Sequence, residues 1–480
     1  MTKVLMVASE AKPFAKTGGL ADVVGSLPAE LAALGDEVAV VMPRYRAVKL
    51  EGAQRVYDVL PVRLGPRNYP AELWMATERG VPFYFVNCPE LFDRDGLYGP
   101  PDGDYPDNAV RFAAFSRAAL SVMRFVFRPQ VVHCHDWQAA LAPVYMRTLL
   151  QRDPTFLGIR CLFTIHNLGY QGLFPKETLA DIGLDESVFD PDHLEFFGRL
   201  NLLKGGLVYS DWLSTVSPTY AREIQTPDYG FGLDGVLRAR GDRLSGILNG
   251  ADYQEWNPET DPFLAARYSA ADLSGKKECK RDLLAEFGLP AEDISRPLIG
   301  IVSRFTSQKG FDLVTQVAEE LSRENLVLVA LGSGREEYEQ AFRDLAAAHP
   351  RTVAVRFGYN NPLAHKIEAG SDMFLMPSHY EPCGLNQMYS LRYGTVPIVR
   401  ATGGLDDTVD ESTGFKFTDY SGQALLAAVR EALAAYADPE GWTAMMIRGM
   451  RKDFSWKASA KQYSALYRQL SGAAAAGLAA

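Results

Sequence analysis

Arg304 and Lys309 lie five positions apart in Ser303-Arg304-Phe305-Thr306-Ser307-Gln308-Lys309-Gly310, directly after the apolar run 298–303. Arginine offers phosphate oxygens a planar fork and lysine a point charge, so the loop reads as a diphosphate clamp. A second cluster, Ser378-His379-Tyr380-Glu381-Pro382-Cys383-Gly384-Leu385-Asn386-Gln387, places Glu381 after another strand-like run. A carboxylate there can accept sugar hydroxyls or oppose a developing positive charge. Thr-Gly-Gly-Leu-x-Asp occurs twice, at 17–22 and at 402–407, each time after an apolar run and before a helix start. Paired glycines allow close backbone approach, and amides at a helix N-terminus favour an anion.

Three more polar groups end predicted strands. His133-Cys134-His135-Asp136-Trp137-Gln138 has the residue types of a metal site, but no second ligand cluster accompanies it. It reads better as a polar patch for a hydroxyl-rich ligand, with Trp137 as an apolar wall. Thr164-Ile165-His166-Asn167 precedes a glycine turn, Gly169-Tyr170-Gln171-Gly172, and Leu248-Asn249-Gly250-Ala251-Asp252 is an Asn-Gly turn. Cations for a diphosphate, with Glu, His, Asp and Asn for a sugar, make a nucleotide-sugar site. No Gly-x-x-x-x-Gly-Lys-[Ser/Thr] is present, nor a dinucleotide Gly-x-Gly-x-x-Gly after the first strand, nor a strand-end Asp-x-Asp to hold a metal.

These groups need a scaffold that gathers strand ends. Short runs rich in Val, Ile and Phe alternate with helical patterns: 4–9, 38–42, 82–87, 131–135, 161–166 and 213–216, then 298–303, 326–331, 353–357, 373–377 and 396–399. Unbroken apolar runs suit strands buried on both faces of a parallel sheet, and ligands collect at the carboxyl ends of such strands. The expected class is α/β with two doubly wound domains, 1–244 and 245–456. An amphipathic C-terminal helix over 457–480 should pack back on the first domain. The interval 51–107, with turns such as Tyr98-Gly99-Pro100-Pro101-Asp102, is expected to be an insertion with loops over a site. The charged run 275–282 is expected to be a solvated helix start.

The 480 residues carry 47% hydrophobic side chains and a net charge of −10, which excludes a general nucleic-acid surface. Five scattered cysteines without Cys-x-x-Cys fit a reducing compartment, so a cytoplasmic location is expected. No signal-like N-terminus is present, and no apolar stretch nears the roughly 18 residues of a membrane span.

The chain resembles the bacterial glycogen synthases and plant starch synthases, retaining glucosyltransferases, over nearly its whole length. The resemblance rests on Lys16-Thr17-Gly18-Gly19-Leu20-Ala21-Asp22, His135-Asp136-Trp137, Phe163-Thr164-Ile165-His166-Asn167, the 304–310 loop, Glu381-Pro382-Cys383-Gly384-Leu385 and Thr402-Gly403-Gly404-Leu405. It implies a GT-B fold, ADP-glucose as donor, the growing end of an α-1,4-glucan as acceptor, and neither cofactor nor metal.

Residue by residue, it implies donor contact by Lys16 and neutralisation of the departing diphosphate by Arg304 and Lys309. Glu381 would lie near the glucosyl hydroxyls, His166 near the anomeric centre, and Asp136 and Asn249 at further sugar contacts. Tyr359 would stack on the base, and Cys383 would sit in the active site without acting as nucleophile. Gly18, Gly19, Asp22, Gly384, Leu385, Thr402, Gly403 and Gly404 complete the expected substrate contacts.

Two positions depart from related transferases. Tyr389 stands where many carry a second Glu, and Asn386 where bacterial relatives often have Thr. Without a paired carboxylate, same-face displacement is expected in place of double displacement.

Overall fold

The computed structural model describes residues 1–100 and 103–478, with only the backbone described for 473–478. The chain divides into two compact units, the first made of Met1–Val216, Ala221–Gly250 and the chain from Trp456 onward, the second of Ser217–Tyr220 and Ala251–Ser455. The expected boundary at 244 falls inside the first unit, which runs six residues further.

In the first unit the apolar runs become β1 (Lys3–Val7), β2 (Glu37–Pro43), β3 (Gln54–Leu64), β4 (Arg67–Glu78), β5 (Val81–Asn87), β6 (Val131–His135) and β7 (Arg160–Ile165). They are followed by β8 (Leu173–Phe174), β9 (Glu195–Phe196), β10 (Arg199–Asn201), β11 (Trp212–Thr215) and β12 (Leu244–Gly246). Nine of these form one sheet in the order β12-β11-β7-β6-β1-β2-β5-β4-β3, while β8, β10 and β9 form a small second sheet. From β12 to β5 every pairing is parallel. The strands β3 and β4 are antiparallel, so much of the expected insertion is a hairpin that widens the sheet. Its β3 has one half-hidden face and many exposed residues, and this dilutes the apolar signal that marked the central strands. In the turn-rich stretch that follows, Pro101 and Asp102 lie outside the described residues.

The C-terminal helix Trp456–Leu478 belongs to the first unit. Tyr463 and Tyr467 are fully buried, the Tyr467 hydroxyl lies 2.7 Å from His133 Nδ1, and Ser464 donates to Asp36 at 2.5 Å. Gly250 lets this helix start close by, since a Cβ there would lie 2.4 Å from the Trp456 backbone.

The second unit has β13 (Leu298–Val302), β14 (Val327–Gly332), β15 (Val353–Phe357), β16 (Met373–Met376), β17 (Val396–Arg400) and β18 (Phe415–Phe417). All are parallel, in the order β15-β14-β13-β16-β17-β18. The order reverses between β13 and β16. A crevice for ligands opens at the carboxyl ends of strands at such a switch point.

One expectation fails here. The run 275–282 lies in the helix Ser274–Phe287, yet Lys276 and Lys280 are only 7% and 5% exposed. Lys276 Nζ donates to the carbonyls of Ala369 and Tyr393 and to Thr395 Oγ1, and burial lowers its pKa to about 8. Lys280 donates to Asp372 at 2.6 Å and to the Arg296 carbonyl, and Asp372 also accepts the Leu298 amide. The two lysines are one helical turn apart and share a face with Cys279 and Leu283. They are internal because fixed acceptors at the amino ends of the sheet meet their charged heads. Replacing Asp372 with Ala strands the Lys280 charge and should destabilise the second unit by about 3–5 kcal/mol. Urea denaturation followed by tryptophan fluorescence measures this; an unchanged midpoint would refute it.

Candidate functional site

In the second unit the loops after β13 and β16 lie against each other at the switch point. Gly310, at φ +77°, allows this, because a Cβ there would lie 2.0 Å from the Pro377 carbonyl oxygen. The His379 amide donates to the Gln308 carbonyl at 2.9 Å. These contacts bring Lys309 Nζ within 2.6 Å of Glu381 Oε2, which also accepts from Ser378 Oγ at 3.0 Å. Glu381 is buried and Lys309 half-buried, so the pair is partly shielded from water. The two side chains expected on phosphate and on sugar are thus paired with each other. Arg304 is exposed and, among the described residues, forms no ion pair.

The second Thr-Gly-Gly turn follows β17. Gly404 donates its amide to the carbonyls of Glu381 at 3.1 Å and Pro382 at 3.3 Å. A Cβ would lie 1.9 Å from the Glu381 oxygen at Gly403 and 2.1 Å from the Cys383 oxygen at Gly404. The glycines therefore let two backbone segments touch. The Gly404 amide, expected to face a phosphate, is directed into the protein.

Cys383 is buried, Gly384 adopts φ +73° beside Gln387, and Leu385 leads into the helix Asn386–Arg392. Asn386 fixes that helix to the end of β13 by donating to the Val302 carbonyl at 2.8 Å. Tyr389, the departure from the paired-carboxylate pattern, stacks on Trp256 at 4.1 Å, and His365 stacks on the same indole at 3.7 Å. Tyr359 follows the end of β15 and is 81% exposed.

In the first unit β6 and β7 lie side by side and end at His135 and Ile165. Contrary to the polar-patch reading, His133 and His135 are both fully buried. His133 Nε2 lies 2.6 Å from Thr164 Oγ1 and its Nδ1 faces Tyr467, so both ring nitrogens are engaged. His135 Nδ1 lies 2.9 Å from His166 Nε2. Burial lowers the His166 pKa to about 3, so the ring is neutral and the two imidazoles share a single proton between these nitrogens. The tautomer of His135 therefore dictates that of His166.

Asp136 has φ +56°, a conformation that a non-glycine residue holds only when its surroundings demand it. Its carboxylate accepts the His166 amide at 2.8 Å. Burial, with the negative charge of Glu10 adding to it, raises the Asp136 pKa to about 7.

Glu10, just past β1, is a residue that the motifs did not flag. It accepts from Thr17 N and Thr17 Oγ1, both at 2.5 Å, from Gly18 N at 3.2 Å and from the Tyr98 hydroxyl at 2.6 Å. The first Thr-Gly-Gly turn is thus wrapped around an internal anion. A carboxylate directly after a buried strand was the signal available in the sequence. Lys16 pairs with Asp22 at 2.8 Å, while a Cβ on Gly19 would meet open space. Asn249 is buried and its Oδ1 has no partner among the described residues.

Residues 3–239 match the family described as starch synthase catalytic domain, and residues 290–444 match glycosyl transferases group 1. The glycogen synthase of Koribacter versatilis is 53% identical over 474 residues, covering 97% of this chain and 98% of that protein. The chain belongs to the glycogen and starch synthase family. It is a glucosyltransferase. The glycogen synthase of Anaeromyxobacter sp. strain Fw109-5 is 52% identical over 481 residues, covering 98% of this chain and 99% of its own.

The catalytic domain of starch synthase IV from Arabidopsis thaliana, solved bound to ADP and acarbose, is 34% identical. It superposes with a TM-score of 0.89 over 98% of this chain and 99% of its own, which gives the α/β, GT-B fold class. Sucrose-phosphate synthase from Thermosynechococcus elongatus, 19% identical with a TM-score of 0.62 over 98% of this chain, shares the fold alone. Among the described residues no helix is long and apolar enough to cross a membrane.

Two outcomes follow for the synthase. Asp136 titrates near 7 when folded and near 3.9 when unfolded. Its contribution to stability is complete below the unfolded value and is lost as pH rises through the folded one. Asp136→Asn keeps an acceptor for the His166 amide and does not titrate, so wild type should lose stability relative to this variant between about pH 4 and 8. Parallel melting curves across that range would refute it. His135→Phe keeps a ring but frees the His166 tautomer, and should lower kcat about 10- to 100-fold with the melting temperature little changed.

Proposed function

We propose that this chain transfers glucose from ADP-glucose to the non-reducing end of an α-1,4-glucan, with retention of anomeric configuration and without a metal or cofactor. The observation that carries the reading is the Lys309–Glu381 pair at the switch point of the second sheet, with exposed Arg304 on the same loop as Lys309. A donor diphosphate is a stronger anion than one carboxylate. It draws Lys309 away from Glu381 and takes the planar fork of Arg304. Glu381 is then free to accept hydroxyls of the transferred glucose. Exposed Tyr359 supplies a flat face for adenine.

In the first unit, neutral His166, Asp136 and Asn249 supply the sugar contacts, and Lys16 exchanges Asp22 for donor oxygens. The unpartnered Asn249 Oδ1 is an acceptor already buried and waiting for a hydroxyl. Starch synthase IV, solved with ADP and acarbose, supports an adenine donor and a glucan-like acceptor for this chain as well.

The bond from glucose C1 to the diphosphate oxygen breaks as C1 bonds to the acceptor hydroxyl on the same face. The departing diphosphate oxygen takes the acceptor's proton. Tyr389 in place of a second carboxylate supports this course, since no paired nucleophile stands eight residues after Glu381. Lys309 and Arg304 stabilise the charge that develops on the leaving group. Five free, buried cysteines support a reducing, cytoplasmic setting.

Nucleotide release is measured with glycogen and either ADP-glucose or UDP-glucose. Faster release from ADP-glucose is expected, and a preference for UDP-glucose would overturn the donor assignment. Binding of glycogen with no transfer from either donor would mark a glucan-binding protein without activity. Lys309→Ala and Arg304→Ala should each lower kcat about 100- to 1000-fold with the circular dichroism spectrum retained.

A further inference from the structure

Two Phe-Gly pairs outside the sites described so far share an unusual backbone. The hairpin of β9 and β10 is closed by two residues, Phe197 and Gly198, at φ +50° and +77°. Positive φ at both central positions is what a type I′ loop requires, and Asn-Gly or Asp-Gly normally fills it. A bulky aromatic side chain in this region is an outlier. Phe197 is nevertheless 83% exposed, so burial does not account for it. The pair recurs at Phe231-Gly232, with φ +48° and +81° and Phe231 40% exposed.

The two turns meet. A Cβ on Gly232 would lie 2.8 Å from Phe196 Cζ and 3.4 Å from Phe197 Cε2, so the rings of the first turn lie over the glycine of the second. Phe196 and Phe197 pack edge to face with centroids 4.7 Å apart.

The patch is joined to the catalytic side of the same unit. Gln171, five residues after His166, is buried and donates to the carbonyls of Phe231 at 3.1 Å and Leu168 at 3.2 Å. Its Oε1 accepts from Asn201 at 2.7 Å, and Asn201 ends β10. The two charged side chains that flank the first turn are tied to the backbone: Glu195 accepts the Gly198 amide and Arg199 donates to the Leu173 carbonyl. The exposed surface is aromatic, flanked by one charge of each sign.

We propose that the paired Phe-Gly turns form a stacking platform for the glucan chain behind its reacting end. This rests on the acceptor reading given above. Glucopyranose presents apolar C–H faces between rims of hydroxyls, which matches exposed ring faces. An anionic polymer or membrane calls for clustered cations, whereas the one arginine flanking the turn, Arg199, is matched by Glu195. A local rule of turn chemistry is broken twice in one place, as happens where function overrides the preference of the loop.

Phe197→Asn tests this, because asparagine suits the turn and removes the ring. Native electrophoresis through glycogen-containing gels reads glucan affinity without turnover. Wild type should be retarded and the variant much less so, with the melting temperature not lowered. The KM for glycogen should rise about tenfold while the KM for ADP-glucose holds. Phe197→Trp should restore both readouts. Retardation and KM at wild-type values in Phe197→Asn overturn the platform, as does a fall in melting temperature without either change. A shifted sedimentation coefficient with glycogen binding intact would assign the patch to a second copy of the chain and overturn it too. Failure of wild type to transfer glucose from ADP-glucose counts against the functional reading alone, since the gel assay needs no donor.

Discussion

In each unit a glutamate is taken out of water beside a Thr-Gly-Gly turn, and much of the local structure exists to satisfy it. An unpaired buried carboxylate is too costly to persist. In the first unit Glu10 is met by Thr17, Gly18 and Tyr98, which fixes the entry to the first long helix, Gly19–Ala33. In the second, Glu381 is met by Lys309 and Ser378, which locks two strand-end loops together at the switch point. The repeated motif therefore does two different jobs. The first turn gives its amides to a glutamate side chain, and the second gives the Gly404 amide to the main chain of Glu381 and Pro382.

The pairing in the second unit also joins the two groups to which the proposed function gives separate tasks. Lys309 and Glu381 hold each other at 2.6 Å, and on the proposed function this is the pair that the donor diphosphate separates. The missing second carboxylate has a structural counterpart in the stack of Tyr389, Trp256 and His365. A glutamate at 389 would replace a ring in that stack with a charge, in a place where the carboxylate of Asp261 is already committed to His365 and Tyr393. The position is committed to packing.

The parallel strands were legible because both faces are buried, so their apolar runs are unbroken. The position of Arg304, Lys309 and Glu381 after strand ends was legible because each motif directly follows an unbroken apolar run. Other features were hidden. The strands β3 and β4 are amphipathic and turn-rich, Lys276 and Lys280 carry charges that normally mark a solvated face, and His133 looks like a ligand-facing residue until Tyr467 is brought to it from 334 positions away.

The sequence by itself determined the fold class, the placement of the strand-end motifs and the family, since these depend on local periodicity and on residue types in fixed order. Only the tertiary structure decided what each polar group bonds to. It paired Lys309 with Glu381, turned the Gly404 amide inward, coupled His135 to His166, and set Phe196 and Phe197 over Gly232. Hydrogen bonds and ion pairs are satisfied between residues distant along the chain, and a one-dimensional pattern shows which groups need partners without showing which partners they find.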